Sequence, residues 1–470
     1  MRLMELARWG NRFVKERRRL AMARHLSPVR RIERVYPPSN DRIVSLTFDD
    51  GPSAAPPSSG GAEGLTQKLL EILAFYGAKG TFDIIGTTAN NYPDRVGKLH
   101  SPQWGGVKHD HYPEFGRDEQ AGAVNQLRLV EAILAGGHEL SNHCYSHVAF
   151  GPSRLVYGSR SYLPNLGSVI MDVRRLHDLI RENFDFTMRL GRPPHYIDRT
   201  ADNYNSYDVY RELGYNYLAA SFDGGGWKPT LGSYRQDVEA MVEPLRRALK
   251  ANPGSLNGQV IFHKDGYNMS KQTPVVDALP QQLELLKSHG YRVVTVTELM
   301  SISPYIDFPD SEDIFPVVRE LAALGVCLGY RDNSFQPDRV MTVGELAQTL
   351  VGGREPGTGR EVVAAARNPE PFMVKQSDRD TKSHPYAYAL GLAMNLGVID
   401  NDGIRNADRP LDLDRLTRVK GRLADVTGES YKLEGRIGKG RAVNPRAVTR
   451  REAFRLLGPL LVGLLREKPL

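Results

Sequence analysis

Ile43 to Pro52 reads IVSLTFDDGP, a short apolar run that ends abruptly in two adjacent carboxylates and a Gly-Pro turn. Ile43, Val44, Leu46 and Phe48 suit a strand covered on both faces, as strands of a parallel sheet are, and Gly51-Pro52 stops it. Asp49 and Asp50 then fall at the C-terminal lip of a buried strand, where α/β architectures carry ligands and chemistry. Two neighbouring carboxylates repel unless something cationic divides their roles. A metal that holds one and leaves the other as a base is an economical arrangement. The plain alternative is a strand followed by a solvated turn, since Asp, Gly and Pro are ordinary turn formers.

Working outward, residues 53–64 form a loop of Pro, Ser, Ala and Gly, and Leu65, Leu69, Ile72 and Leu73 then recur at helical spacing. GTFDII at residues 80–85 is a second buried-strand candidate, so strand, helix and strand make a βαβ unit and imply a parallel sheet. Residues 90–120 are irregular, with His100, His109 and His111 among Pro, Gly and Trp104. They read as a substrate-shaping loop in preference to an accessory metal site. A helix from about 119 to 135 leads to NHCYSH at residues 142–147. His143 and His147 share one face if that segment is helical, and two neutral imidazoles can grip one ion. An isolated His-x-x-x-His is weak and ordinarily means surface histidines. Joined to the Asp-Asp lip it gives two imidazoles and a carboxylate with open positions for water and substrate, as a catalytic metal needs.

These stretches carry a resemblance. TFDDGP at 47–52 resembles the first signature of the polysaccharide deacetylases (NodB-homology, carbohydrate esterase family 4), and GHELSNHCYSH at 137–147 the second, with Cys144 where Ser or Thr is usual. GRPPHY at 191–196 is similar to the third, in which Arg192 would orient the catalytic carboxylate. Pro194 would line the site, and a backbone N–H at His195 or Tyr196 would help to hold the oxyanion. LAASFDGGGW at 218–227 resembles the fourth, which normally ends Asp-Trp; here Gly226 precedes Trp227 and Asp223 is the nearby carboxylate. Trp227 would wall the sugar site and Asp223 would tune the acid histidine. QVIFHKD at 259–265 resembles the fifth, with Phe262 as an apolar wall and His263 as general acid, a role that suits a pKa near working pH. A helix at 280–289 and a strand at 291–296 would close the domain.

The 470 residues allow two or three domains, and a formal charge of +7 favours anionic partners without choosing among wall polymers, membrane surfaces and nucleic acid. The two cysteines, Cys144 and Cys327, lie far apart and indicate no disulfide framework. No apolar run is long enough to span a bilayer. Residues 1–26 are rich in Arg and Lys without the apolar core of a secretory signal, and read as a solvated leader in preference to a surface-resting basic helix.

From Ser303 the chain changes to helix patterns broken by Gly-Tyr-x-Asp turns. LAALGVCLGY at 321–330 with Asp332 and Phe335-Gln336-Pro337, HPYAYALGLAMNLGVI at 384–399, and VTRREA at 448–453 resemble S-layer homology (SLH) repeats. Small helical units of that kind stack because none buries its apolar face alone. The resemblance implies docking onto a secondary cell-wall polymer, mainly through the copy that keeps Thr449 and Arg450. Two Gly- and charge-rich stretches, 352–368 and 428–444, read as linkers.

The expected organisation is a basic leader at 1–40, a deacetylase domain at 41–300, and SLH repeats at 303–351, 372–425 and, shortened, 426–470. The expected fold is α/β, a distorted (β/α) barrel of the NodB-homology type, followed by a mainly α-helical domain. Asp50, His143 and His147 would hold a divalent metal, zinc before cobalt or another ion. Asp49 would serve as base and His263 as acid in removing N-acetyl groups from peptidoglycan or a chitin-like glycan. The rivals are an O-acetyl esterase acting on xylan or wall glycans and an inactive wall-binding scaffold. The SLH repeats imply the cell surface. No nucleic-acid partner is expected.

Overall fold

The computed structural model describes residues 23–37, 41–89, 119–152, 154–155, 158–159, 161–228, 230, 232–351, 385–395, 397–399, 407–427 and 446–466. The readings made on the leader up to residue 22, on His100, His109 and His111, on the two linkers and on the start of the second repeat lie outside these residues. The chain divides into two compact units: Arg31–Ile302, and a second built from Ser303 onward together with the residues up to Arg30.

The first unit is organised by strands β1 (Arg31–Ile32), β2 (Ile43–Asp49), β3 (Thr81–Ile84), β4 (Glu139–Asn142), β5 (Arg154–Leu155), β6 (Gly158–Ser159), β7 (Leu190–Gly191), β8 (Asn216–Leu218), β9 (Phe222–Asp223), β10 (Val260–Lys264) and β11 (Arg292–Val294). All but the small β5–β6 hairpin join one sheet in the order β1-β8-β7-β4-β3-β2-β10-β9, with β11 also on β2. Every pair in this sheet is parallel. Beyond β1, Arg34 bridges Gln259, Val35 N–H donates to Gly258 O at 2.9 Å, and Val260 N–H donates to Glu33 O at 3.1 Å. The two ends of the sheet therefore curl toward one another, which is the distorted-barrel geometry of an α/β fold.

All seven residues of β2 are buried, as a strand at the centre of such a sheet requires. Successive side chains alternate between its faces. Phe48 stacks on Phe82 at 4.9 Å on the helix-covered side. Thr47 and Asp49 point to the opposite, inner side, where both meet Arg192.

Helices α1 (Leu65–Phe75), α2 (Leu127–Ala135), α3 (Leu166–Phe184), α4 (Ser206–Leu213), α5 (Tyr234–Ala251), α6 (Val275–Ser288) and α7 (Val296–Ile302) supply the remaining elements. In α1 the buried set is Leu65, Thr66, Leu69, Leu70 and Leu73, one stripe of a 3.6-residue period. α6 starts at Val275, five residues before the expected 280. Pro280 lies inside the first turns instead of opening the helix, and Gln282 is buried among its apolar residues.

The second unit holds α8 (Phe315–Ala323), α9 (Val343–Val351), α10 (Ala387–Asn395), α11 (Leu413–Thr427) and α12 (Arg450–Arg466) around one apolar core that also takes in Ala23 and Leu26. Three short segments entering α9, α11 and α12 pair cyclically. Met341 N–H donates to Val448 O at 2.9 Å, Val448 N–H to Leu411 O at 2.8 Å, and Leu411 N–H to Met341 O at 2.7 Å. Each following helix is capped alike: Glu345 and Thr342 exchange hydrogen bonds, as do Glu452 and Thr449, and Asp412 accepts from Arg415 N–H. Arg450, in the copy expected to carry most of the docking, is fully buried. It donates to the Phe335 and Leu328 carbonyls beneath the rings of Tyr330, Phe335 and Phe454, so its work is internal. Among the described residues no helix is long and apolar enough to cross a membrane.

Candidate metal centre and active site

The site grows from the ends of β2, β3, β4, β7 and β10. β2 stops because Asp50 takes φ 77° and Gly51-Pro52 follows. Gly51 is required by close approach: a Cβ there would stand 1.9 Å from Asp265 Oδ2. Cys144, His147, His195 and Tyr196 also adopt left-handed backbone, so the loops around the lip concentrate conformations that non-glycine residues rarely take.

Asp50 Oδ1 lies 3.1 Å from His143 Nε2 and 3.0 Å from His147 Nε2, and all three side chains are buried. The two imidazoles are brought together by a bend, with Cys144 and His147 left-handed, and not by the helical turn considered from the sequence. His143 is aimed from behind. Its Nδ1 lies 2.8 Å from Arg192 O and 3.1 Å from Asp83 Oδ2, which turns Nε2 toward Asp50. Burial lowers the basicity of His143, but the charge and hydrogen bond of Asp83 outweigh it, and the net shift is upward.

Three donor atoms, one from each of Asp50, His143 and His147, lie within 4.8 Å of one another. Two imidazole nitrogens and one carboxylate oxygen suit a zinc-like ion with open positions, so the residues fit a divalent metal. Asp49, Asp83 and His143 form a second such group, but there Asp49 is already paired with Arg192.

Asp49 is held by the fully buried Arg192, whose Nη1 also donates to Thr47 Oγ1 at 3.1 Å. Its Nε and Nη2 go to the carbonyls of Leu218 (3.3 Å) and Ala219 (3.2 Å). Burial lifts the Asp49 carboxyl to about 6 against the pull of Arg192. The rings of Tyr196 and Phe262 lie 5.4 Å and 5.8 Å from the Arg192 guanidinium, and His195 is 5.0 Å from His147. Pro194 is buried. Tyr196 N–H donates to Pro193 O at 3.0 Å, which commits that amide and disfavours it as an oxyanion donor.

The largest correction concerns β10. His263 is in register with Phe48 and Lys264 with Asp49. By the alternation of a strand, His263 therefore faces the helices and Lys264 the site. His263 stacks on Phe48 at 5.4 Å, and its Nε2 meets Gln282 Oε1 of α6 at 2.7 Å. Burial holds its pKa down at about 4. The general-acid role expected of His263 is not supported by this placement. Lys264 is buried and its ammonium contacts Asp50 Oδ2.

Asp223 does not touch His263 either. It is half exposed and accepts from Trp227 Nε1 at 3.3 Å and Gly225 N–H at 3.0 Å, and its expected place beside His263 is taken by Gln282. Gly226, which stands where the resembling signature has Asp, packs against Lys264: a Cβ on it would come within 3.3 Å of Lys264 Cβ.

Cys144 is buried, with Sγ 4.0 Å from Val148 O and its thiol pushed up by burial. Asp83, Lys264, Asp265 and Gln282 were missed from the sequence. Asp265 accepts from Thr66 Oγ1 at 2.8 Å, and its N–H donates to Asp49 O at 2.7 Å, so it buttresses the lip. Asp83 was visible as a lone carboxylate inside the apolar run GTFDII, and Lys264 required the strand register.

Residues 37–218 match the polysaccharide deacetylase family. Over 267 residues the chain is 27% identical to the peptidoglycan-N-acetylglucosamine deacetylase of Bacillus cereus, spanning 56% of this chain and 90% of that protein. It is 23% identical over 273 residues to the bifunctional xylanase/deacetylase of Pseudobutyrivibrio xylanivorans, covering 57% of this chain and 33% of that one. A solved peptidoglycan deacetylase of Bacillus subtilis aligns with 56% of this chain and 92% of its own, at 19% identity and a TM-score of 0.36. Peptidoglycan and chitin deacetylases of this kind are hydrolases of carbon-nitrogen bonds other than peptide bonds. The family match runs from just before β2 through β8, across the lip, both histidines and Arg192, and supports a polysaccharide deacetylase domain in this part of the chain.

Proposed function

We propose that this protein is a divalent-metal-dependent deacetylase that removes N-acetyl groups from a cell-wall amino-sugar polymer. The observation that carries the reading is the buried trio Asp50, His143 and His147 beside an Arg-held Asp49. A zinc or cobalt ion held by the trio would supply Lewis-acid polarisation of the acetyl carbonyl and of water. Asp49, drawn toward neutrality by burial, is suited to take a proton from the attacking water. Arg192 fixes the free rotation of that carboxylate, and Asp83 with the Arg192 carbonyl fixes the tautomer of His143. Phe262 and Tyr196 give the pocket apolar walls, and Trp227 lies on the adjoining segment, held to Asp223. The products would be acetate and a free amine.

The second unit supports wall attachment: its cyclic pairing of three alike-capped segments is what three related repeats would produce, and SLH docking to an anionic wall polymer at the cell surface belongs to the same proposal. One observation favours a second reading, a metal-binding wall protein that does not hydrolyse: the imidazole expected as acid faces away, and Lys264 stands in its place. Acetate release by the purified protein from N-acetylated wall glycan, chitin oligomers and acetylated xylan tests all three. Metal-dependent release from the first two supports the proposal, release from xylan alone the esterase, and none from any the non-hydrolysing reading.

A further inference from the structure

Lys264 has no role in the chemistry described so far, yet like Phe262 it is a residue of β10 that faces the site. It is 1% exposed and in register with Asp49, and its ammonium sits on Asp50 Oδ2. Asp50 Oδ1 meanwhile serves both imidazoles. The other buried cation of the site, the Arg192 guanidinium, goes to Asp49, Thr47 and two carbonyls, so the second oxygen of Asp50 is left to Lys264. Gly226 carries no side chain where it meets Lys264, so the lysine is not displaced from that side. A cation resting on a metal-ligand carboxylate pre-aims its other oxygen. It also repels an incoming divalent ion and occupies the oxygen that a bidentate ligand would offer.

We infer that Lys264 is a positioning residue of the metal site, an internal counter-ion that orients Asp50 and lowers the affinity for the divalent ion. This rests on the deacetylase reading only in taking Asp50, His143 and His147 as ligands. The test is calorimetric titration of zinc and of cobalt into the full chain, the variants Lys264→Met and Lys264→Gln, and His147→Ala as site control. Removing the like charge should tighten binding of one ion by about tenfold or more, and His147→Ala should abolish it. Wild-type protein that binds one ion while both variants bind no more tightly would overturn the inference and leave the metal site standing. Absence of binding in every protein would overturn both, whereas binding only in the variants would support the inference against a metal-loaded native state.

Discussion

Arg192 illustrates how much one side chain holds together. A fully buried guanidinium that grips Asp49, Thr47 and two carbonyls has no room for an exchange that keeps charge but loses the fork. Arg192→Lys should lower turnover by at least about a hundredfold, with a stability loss on the order of 3 kcal/mol from an under-compensated buried carboxylate, read by acetate release and urea unfolding. Asp83 acts one step back, through His143. Asp83→Asn should weaken zinc binding by roughly ten- to a hundredfold while the chain stays folded. Equal zinc affinity in the variant would show that His143 is oriented by the Arg192 carbonyl alone.

At the scale of elements, β10 against α6 makes the sharpest case. Gln282 Oε1 accepts from His263 Nε2–H, and its Nε2 donates to Met241 O at 2.9 Å and Gly224 O at 3.3 Å. Gln282→Leu should cost about 1–3 kcal/mol by orphaning these groups, with zinc affinity unchanged, because this hydrogen bond is on the helix side of the sheet. Loss of zinc affinity would put His263 back in the site. Another buried imidazole, His138, accepts from Gly80 N–H at 3.0 Å just before β4. Burial, aided by the charge of Lys79, lowers it from 6.5 to about 4. An unfolded chain takes this proton near 6.5 and the folded chain only near 4. The associated stability is therefore complete above pH 6.5 and lost as pH falls from there toward 4, by at most about 3 kcal/mol. His138→Gln should flatten that part of the urea-midpoint profile, and an unchanged slope would refute the linkage. The same elements mark what was legible in the sequence. In IVSLTFDDGP strand, lip and carboxylates were legible because a mainly apolar run ending at Asp-Asp-Gly-Pro fits few other structures. QVIFHKD was ambiguous: alternation has a period of two, and a shift of one residue exchanges His263 for Lys264 on the inner face. Only pairing with β2 decides that register. The bend carrying His143 and His147 was likewise hidden, since left-handed residues other than glycine leave no mark in composition.

For the whole molecule, the division into two units yields a separable expectation. Leu26, although far from Ser303 in sequence, is buried in the core of the helical unit, where Arg30 also donates to Pro304 O and Asn333 Oδ1 at 2.7 Å. Leu26→Ala should lower the stability of that unit by about 2–5 kcal/mol while acetate release stays as in the wild type; a matching loss of activity would contradict the independence of the site. Helix patterns were legible from Ser303 onward, but the burial of Arg450 was not, because a motif preserves residue type without saying which way the side chain turns. The central claim is that Asp49 works beside a divalent ion held by Asp50, His143 and His147. It is tested most directly by acetate released from N-acetylated peptidoglycan, with zinc supplied and then chelated, by wild-type protein and by Asp49→Asn. The account predicts release that requires the ion and falls to background in the variant. Release that persists in Asp49→Asn, or after the ion is removed, would contradict it.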